Sequence, residues 1–292
     1  MNQQELSGGF KILHRAIIVL TVLAVLVPFY WMFVMSVTPQ RHIAGEAIPS
    51  MIPRDVTFIG YAQVLGLTEA VEGPGARAAE MFSRSLFNSF VVASISTILA
   101  LILGVLAAYA LSRLRFPGKK ASYIAILGSR LVAQISLAIP LFIIFRRLGI
   151  LDTYLPLIIN YTAFNMCWVT LIMSSYFDMI DSDMEDAARV DGCTRFGAFW
   201  RVLLPMAKPG IISVLIISFL FSWGEFIYAL LFTSSLDART MPVVLSMFLG
   251  EFAIEYRLLA ASLILGVMPP IILALIFQKH IITGLTRGAT KQ

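Results

Sequence analysis

Six apolar runs, each long enough to cross a lipid bilayer, make up about half of the chain: 12–37, 86–111, 121–145, 155–177, 210–232 and 258–278. A spanning helix needs about 20 predominantly apolar residues. In hydrocarbon every backbone N–H and C=O must be bonded within the chain, which leaves only helices or a closed barrel. Runs apolar on every side suit helices, because barrel strands are about ten residues long and alternate in polarity. The expected fold is therefore an all-α polytopic membrane protein, with six transmembrane helices forming one domain over 1–292.

Composition agrees. Of 292 residues, 59% are hydrophobic and 13% charged, against about one quarter charged in an ordinary soluble domain. The first run has Lys11 and Arg15 at its start and lacks a small-x-small cleavage site, so it reads as a retained span and not a signal peptide. Residues 38–85, rich in Gly and Pro ("AIPSMIPRD", "EGPGAR"), form the expected external loop, with a short helix at "ARAAEMFSRS".

Lys and Arg set the orientation. With the N-terminus inside, inner segments hold thirteen of them and outer segments eight, while Arg130 lies within the third run. The short basic loop "SRLRFPGKK" carries the clearest bias. Both termini and residues 178–209 are thus expected to be cytoplasmic. The formal charge of +5 is this bias and not a nucleic-acid footprint, since no basic cluster is interleaved with exposed aromatics.

Several chemistries are missing from the pattern. His14, His42 and His280 are scattered, Cys167 and Cys193 fall at different depths, and no metal-ligand spacing occurs. No Ser/His or His/Asp cluster lies within the spans. The Gly118-Lys119 pair lacks the upstream glycine and the following hydroxyl of a phosphate-binding loop. No catalytic residue and no cofactor is expected in this chain.

The longest inner segment contains "EDAARVDGCTRFGAFWRVLLP", residues 185–205. Asp181-Ser182-Asp183 suits a helix start, since these side chains cap free N–H groups. Gly192 ends that helix and Thr194 caps a second one. Phe196, Phe199, Trp200 and Leu203, three or four residues apart, are expected to share one face. Two readings follow from the residues alone. The segment is an amphipathic helix lying on headgroups, or a knob presenting Ala187 and Ala188 to a partner's groove.

Asp186-Ala187-Ala188, three residues, Gly192, nine residues, then Val202-x-Leu204-Pro205 resembles the EAA loop of permease subunits of binding-protein-dependent ABC importers. Asp186 stands where that family usually has Glu, and Val202 where it has Ile. "NSFVVASIS...AAYALSRLRFPGK" (88–119) and "GLTRGATK" (284–291) look like the maltose-transporter-type carbohydrate subfamily, the second permease of its pair. The resemblance implies a type I ABC importer permease fold. Its 185–205 stretch is then the coupling helix that docks in a separate ATPase. Glu185, Asp186, Ala187, Ala188, Asp191, Gly192, Phe199, Leu204 and Pro205 would carry the coupling. It further implies a second permease subunit, two ATPases that hold the ATP and Mg2+, and an extracytoplasmic solute-binding protein. The setting implied is a bacterial or archaeal inner membrane, and the solute a sugar.

Polar groups within spans are costly and mark function. Glu225, with Trp223 and Tyr228 beside it, suits sugar hydroxyls and ring faces, or an inter-subunit hydrogen bond. Asn160 and Asn165 face a path or bond across helices. Arg130 lines the path or snorkels along its helix to an interface. Pro140, Pro269 and Pro270 are expected to bend or pack spans. An ion-coupled secondary transporter is the alternative. It would want paired mid-membrane acids, and Glu225 has no second acid within the runs.

Overall fold

The computed structural model describes residues 8–45, 50–53, 55–68, 75–249 and 255–289, and its elements are helices. Arg54 and Lys291, used above for orientation, lie outside the described residues. The chain forms two compact units, one of 1–83 with 245–267 and the other of 84–244 with 268–292.

The first unit contains α1 (Gly8–Val37), α2 (Gln40–Gly45), α3 (Ile59–Val64) and the first turns of α4 (Ala76–Arg113). The large apolar side chains of α1 between Ile12 and Val27 are exposed, as a lipid-facing helix requires. Its C-terminal part is different. Met35 is buried with Ile43 and Ala260, and Trp31 packs on them. Ser36 Oγ and the Tyr61 hydroxyl are hydrogen-bonded at 2.7 Å, and Thr57 N–H donates to Val37 O at 2.8 Å, so the 55–64 segment is sewn to the end of α1. The short helix expected at 76–85 is instead the beginning of α4, which runs unbroken to Arg113.

The second unit continues α4 and adds α5 (Lys119–Ser129), α6 (Gln134–Arg147), α7 (Tyr154–Asp178) and α8 (Ser182–Val190). Next come α9 (Arg195–Ala198), a π-helical turn at Phe199–Leu203, and α10 (Leu204–Met206). Beyond these lie α11 (Lys208–Trp223), α12 (Ile227–Phe232), the start of α13 (Met241–Met247) and the end of α14 (Tyr256–Ala289). Among the described residues four helices are long and apolar enough to cross a membrane, or six if two bent pairs each count as one span.

The bent pairs change the expected picture. The run 121–145 is not one rod: α5 and α6 meet at 94° across residues 130–133. The second bent pair lies at 195–206 and 208–223, which meet at 75°, and the run 210–232 is interrupted further along. At 16 residues, α11 rises only about 24 Å, short of the roughly 30 Å hydrocarbon core. It stops at Trp223, and α12 resumes at Ile227. Pro140, by contrast, lies within α6, and Pro269 and Pro270 lie within α14.

α7 is the spine of this unit. One apolar cluster joins its C-terminal half to α4 and to the π-helical turn through Val105, Ala108, Val169, Met173, Phe177 and Phe199. A second joins its N-terminal half to α6 and α12 through Ala138, Phe145, Leu157, Tyr161, Tyr228 and Phe232. α4 approaches α7 closely at Gly104, where an added Cβ would stand 2.7 Å from Val169 Cγ1. At the turn before α7, Asp152 adopts φ 60° and accepts N–H bonds from Ser234 and Ser235 at 2.7 and 2.8 Å. Burial alone would raise the Asp152 carboxyl, but the bonds from both serines outweigh it and hold it below its ordinary value.

Candidate functional site

Two features of the second unit carry polar chemistry: the 181–207 segment and a cavity beside α7. The segment folds as the sequence dictates locally. Asp181 accepts from Asp183 N–H at 3.1 Å and starts α8. Gly192 ends it at φ 91°, with Gly192 N–H donating to Arg189 O and Cys193 N–H to Ala188 O. Only glycine takes this left-handed geometry without strain. Thr194 then caps α9 by accepting from Gly197 N–H at 3.0 Å. Pro205 has no N–H, and its ring would strike the Arg201 carbonyl in a regular α-turn. The π-helical turn at 199–203 sits just ahead of that conflict.

The expected aromatic face straddles the edge of the core. Phe199 and Leu203 are each 1% exposed in the core, whereas Phe196 and Trp200 are 62% and 52% exposed. The rings of Phe196, Phe199 and Trp200 nevertheless lie 5.6–6.1 Å apart on one side of the helix, Phe199 at its buried edge and the other two at its open edge. Phe199 anchors the segment, with its ring 4.7 Å from that of Tyr109.

The two acids also part. Glu185 turns inward, 8% exposed. It accepts from the Tyr109 hydroxyl at 2.7 Å, and Arg113 Nε approaches its other oxygen at 3.4 Å. Arg113 also donates to Ile180 O at 2.6 Å, and Ser112 Oγ donates to Asp178 at 2.7 Å, so the end of α4 grips both α8 and the segment that leads into it. Asp186 is exposed and pairs only with Arg189, at 2.9 Å. Ala187, Asp191, Gly192 and Pro205 are exposed, while Ala188 and Leu204 are half-buried. Val190 projects from the tip at 87% exposure. The exposed set makes a knob of apolar and small residues flanked by two acids, Asp186 and Asp191.

The cavity holds about 340 Å³ and is lined from both helix breaks: Arg130 and Gln134 on one side, Gly224, Glu225 and Phe226 on the other. α7 supplies Asn160, Tyr161, Phe164, Asn165 and Trp168. Irregular backbone at membrane depth is tolerated where it lines such a cavity. Arg130 does not run along α5 to an interface. Its guanidinium lies 4.3 Å from the Trp168 ring centroid and donates to Phe164 O at 3.0 Å. Glu225 accepts from Tyr161 Oη at 2.6 Å and from the N–H groups of Tyr228 and Ala229 at 3.0 and 3.2 Å. It is the carboxylate cap of α12. Tyr228 donates to Gln134 O at 2.6 Å, which holds the two breaks together.

Asn165 donates to Ser222 Oγ at 2.8 Å, and Ser96 Oγ donates to the same oxygen at 3.1 Å, so α4, α7 and α11 share one buried polar node. Of the expected path residues, Glu225, Tyr228, Asn165 and Arg130 line the cavity, whereas Trp223 is buried outside it against Phe219. Sequence reasoning missed Tyr161, Trp168 and Gln134 in the cavity, and Tyr109 and Arg113 under the knob. The signal existed for the α7 residues: 161, 165 and 168 fall three or four apart on one helical face. The cysteines are free, and no group of metal-ligating side chains occurs among the described residues.

Comparison with known proteins gives the chain its relatives. It is 35% identical to the sulfoquinovosyl glycerol transport system permease protein SmoH of Agrobacterium fabrum, over 91% of this chain and 89% of that one. It is 36% identical to the trehalose transport system permease protein SugB of Mycobacterium tuberculosis, over 91% and 92%. It is 33% identical to the trehalose/maltose transport system permease protein MalG of Thermococcus litoralis, over 94% of each. A chain of a bacterial ABC transporter involved in the import of the acidic polysaccharide alginate shares the fold, with a TM-score of 0.77 at 23% identity over 92% of this chain and 95% of that one. The family described as binding-protein-dependent transport system inner membrane component matches residues 100–287. With that match and these identities, the chain belongs to this family and is a non-catalytic permease subunit of an ABC importer, its ATPase being a separate subunit.

Proposed function

We propose that the chain forms half of the pathway of an ATP-driven importer for a sugar, and that the 185–205 knob is where the ATPase takes hold. The single observation that carries this is the knob itself. A helix pair broken at a φ 91° glycine presents Val190 at 87% exposure and small residues outward, while Phe199 and Glu185 fix it to the bundle. Such a surface fits a groove of another protein better than water.

Six spans follow if α5 with α6 crosses once and α11 with α12 crosses once, with both termini and the knob cytoplasmic, as the Lys and Arg distribution favours. The sugar assignment draws on the transport systems named for the relatives and on the cavity, where Trp168, Phe164 and Tyr161 offer ring faces beside amide and carboxylate groups. A second permease subunit would complete the path, two ATPases would supply the ATP and Mg2+ chemistry, and an external solute-binding protein would deliver the sugar. Asp186, Ala187, Ala188, Asp191 and Gly192 would line the docking face. Glu185, Phe199, Leu204 and Pro205 would hold that face in place.

Purification with the ATPase tests the docking. Ala187 is exposed, so Ala187→Arg is expected to leave the melting temperature within about 1 °C, as surface changes usually do, while abolishing co-elution of the ATPase. Unchanged co-elution would remove the knob from the interface.

A further inference from the structure

Two helices begin at the cavity wall, and they are treated differently. The N-terminus of α12 is occupied by the chain's own Glu225 carboxylate, which receives Tyr228 N–H, Ala229 N–H and the Tyr161 hydroxyl. The N-terminus of α6 has no side-chain cap: Ala133 holds the N-cap position, and Gln134 follows it into the cavity lining. A helix of 14 residues carries partial positive charge at its unsatisfied N–H groups.

Beside this open terminus stands Arg130, whose five N–H donors make one hydrogen bond, to Phe164 O. Across the lining, Asn160 is 4% exposed and its Nδ2 has no hydrogen-bond partner. An unpaired amide at that depth is costly unless a ligand completes it. The internal acid of the cavity is thus already satisfied, and the groups left with spare capacity are a guanidinium, a helix N-terminus and an amide.

We propose that the solute passing through this cavity is an acidic sugar, its anionic oxygens received between Arg130, the α6 N-terminus and Asn160 while its ring faces lie on Trp168 and Phe164. Neutral hydroxyls would accept single N–H bonds and leave the guanidinium charge uncompensated, whereas a carboxylate accepts two of its N–H groups at once and neutralises it. The proposal rests on the reading of the cavity as the sugar path and assigns the charge class of the cargo.

Equilibrium binding to the assembled importer, with its ATPases and sister permease and without the binding protein, tests it with two probes of one size: cellobiose and its uronic acid form, glucuronosyl-glucose. The acid is expected to bind about tenfold tighter, the value of one charge-assisted contact. Arg130→Gln is expected to bring the acid down to the level of the neutral sugar, and Arg130→Lys, which keeps the charge but not the two-pronged fork, to keep only part of the preference. Equal affinity of the two probes for the unaltered importer overturns the acidic class while leaving the sugar path standing, and so does a preference that survives Arg130→Gln. If neither probe binds, the cavity is not the sugar path and both readings fall. The comparison in the unaltered importer decides even if the Arg130→Gln chain does not assemble.

Discussion

Two adjacent acids, Glu185 and Asp186, occupy the same helical turn yet do opposite work. Glu185 sits 8% exposed between Tyr109 and Arg113, so it belongs to the seat of the knob. Asp186 faces solvent beside Arg189, where an exposed ion pair contributes little to stability. Removing the buried acid leaves Arg113 and the Tyr109 hydroxyl short of an acceptor, a cost of about 2–3 kcal/mol for bonds to a charged group. Glu185→Ala is therefore expected to lower the melting temperature of the purified chain by several degrees, and Asp186→Ala to leave it unchanged while weakening co-purification of the ATPase. Equal melting of both variants would show that the inward acid is not part of the seat. Adjacency in sequence hid this division: side chains 100° apart on a helix can face a core and a partner.

Between elements, the closest approach belongs to α4 and α7 at Gly104, where a Cβ would stand 2.7 Å from Val169 Cγ1 and 2.8 Å from its Cβ. Both residues lie within expected spans, and apolar periodicity does not reveal which glycine marks a contact. Gly104→Ala is expected to force the helices apart and cost about 1–3 kcal/mol, the usual range for overpacking. Val169→Ala in the same chain should recover most of that loss by clearing the space, although it costs a buried methyl pair when made alone. A thermal-melt double-mutant cycle measures the coupling, and simple additivity of the two changes would rule out the close contact. Elements that obey one local rule were readable. The α8 start at Asp181, the Gly192 stop and the Thr194 cap all appear in the structure. The breaks at 130–133 and 224–226 were not readable. Apolar content measures transfer into lipid and says nothing about where a backbone turns through 94°. The π-helical turn was equally silent, because it depends on fitting Pro205 against the bundle.

At the scale of the second unit, α7 is one uninterrupted helix whose two halves face different sites. Asn160 to Trp168 line the cavity, and Val169 to Phe177 form the apolar seat under the knob. From Asn160 to Phe177 the helix rises about 25 Å, so a push on the knob reaches the cavity wall without crossing a flexible joint. The Ser96–Ser222–Asn165 node then ties α7 to α11 and α4 at the cavity edge. A rigid element biased by both sites is the physical requirement for coupling between them. Interhelical bonds of this kind contribute roughly 0.6–1.7 kcal/mol each, enough to keep helices moving together but too little for their loss to unfold the chain. Asn165→Ala deletes the bonds to Ser222 and to Ser218 O while leaving Ser96 bonded to Ser222. The reconstituted importer carrying it is expected to hydrolyse several-fold more ATP per sugar delivered, because the knob would move without carrying the α11 side of the cavity along. Simultaneous measurement of ATPase rate and uptake in proteoliposomes reads this ratio directly. A ratio equal to that of the unaltered importer, with both rates falling together, would place Asn165 in cargo contact and leave transmission to the apolar packing of α7 alone.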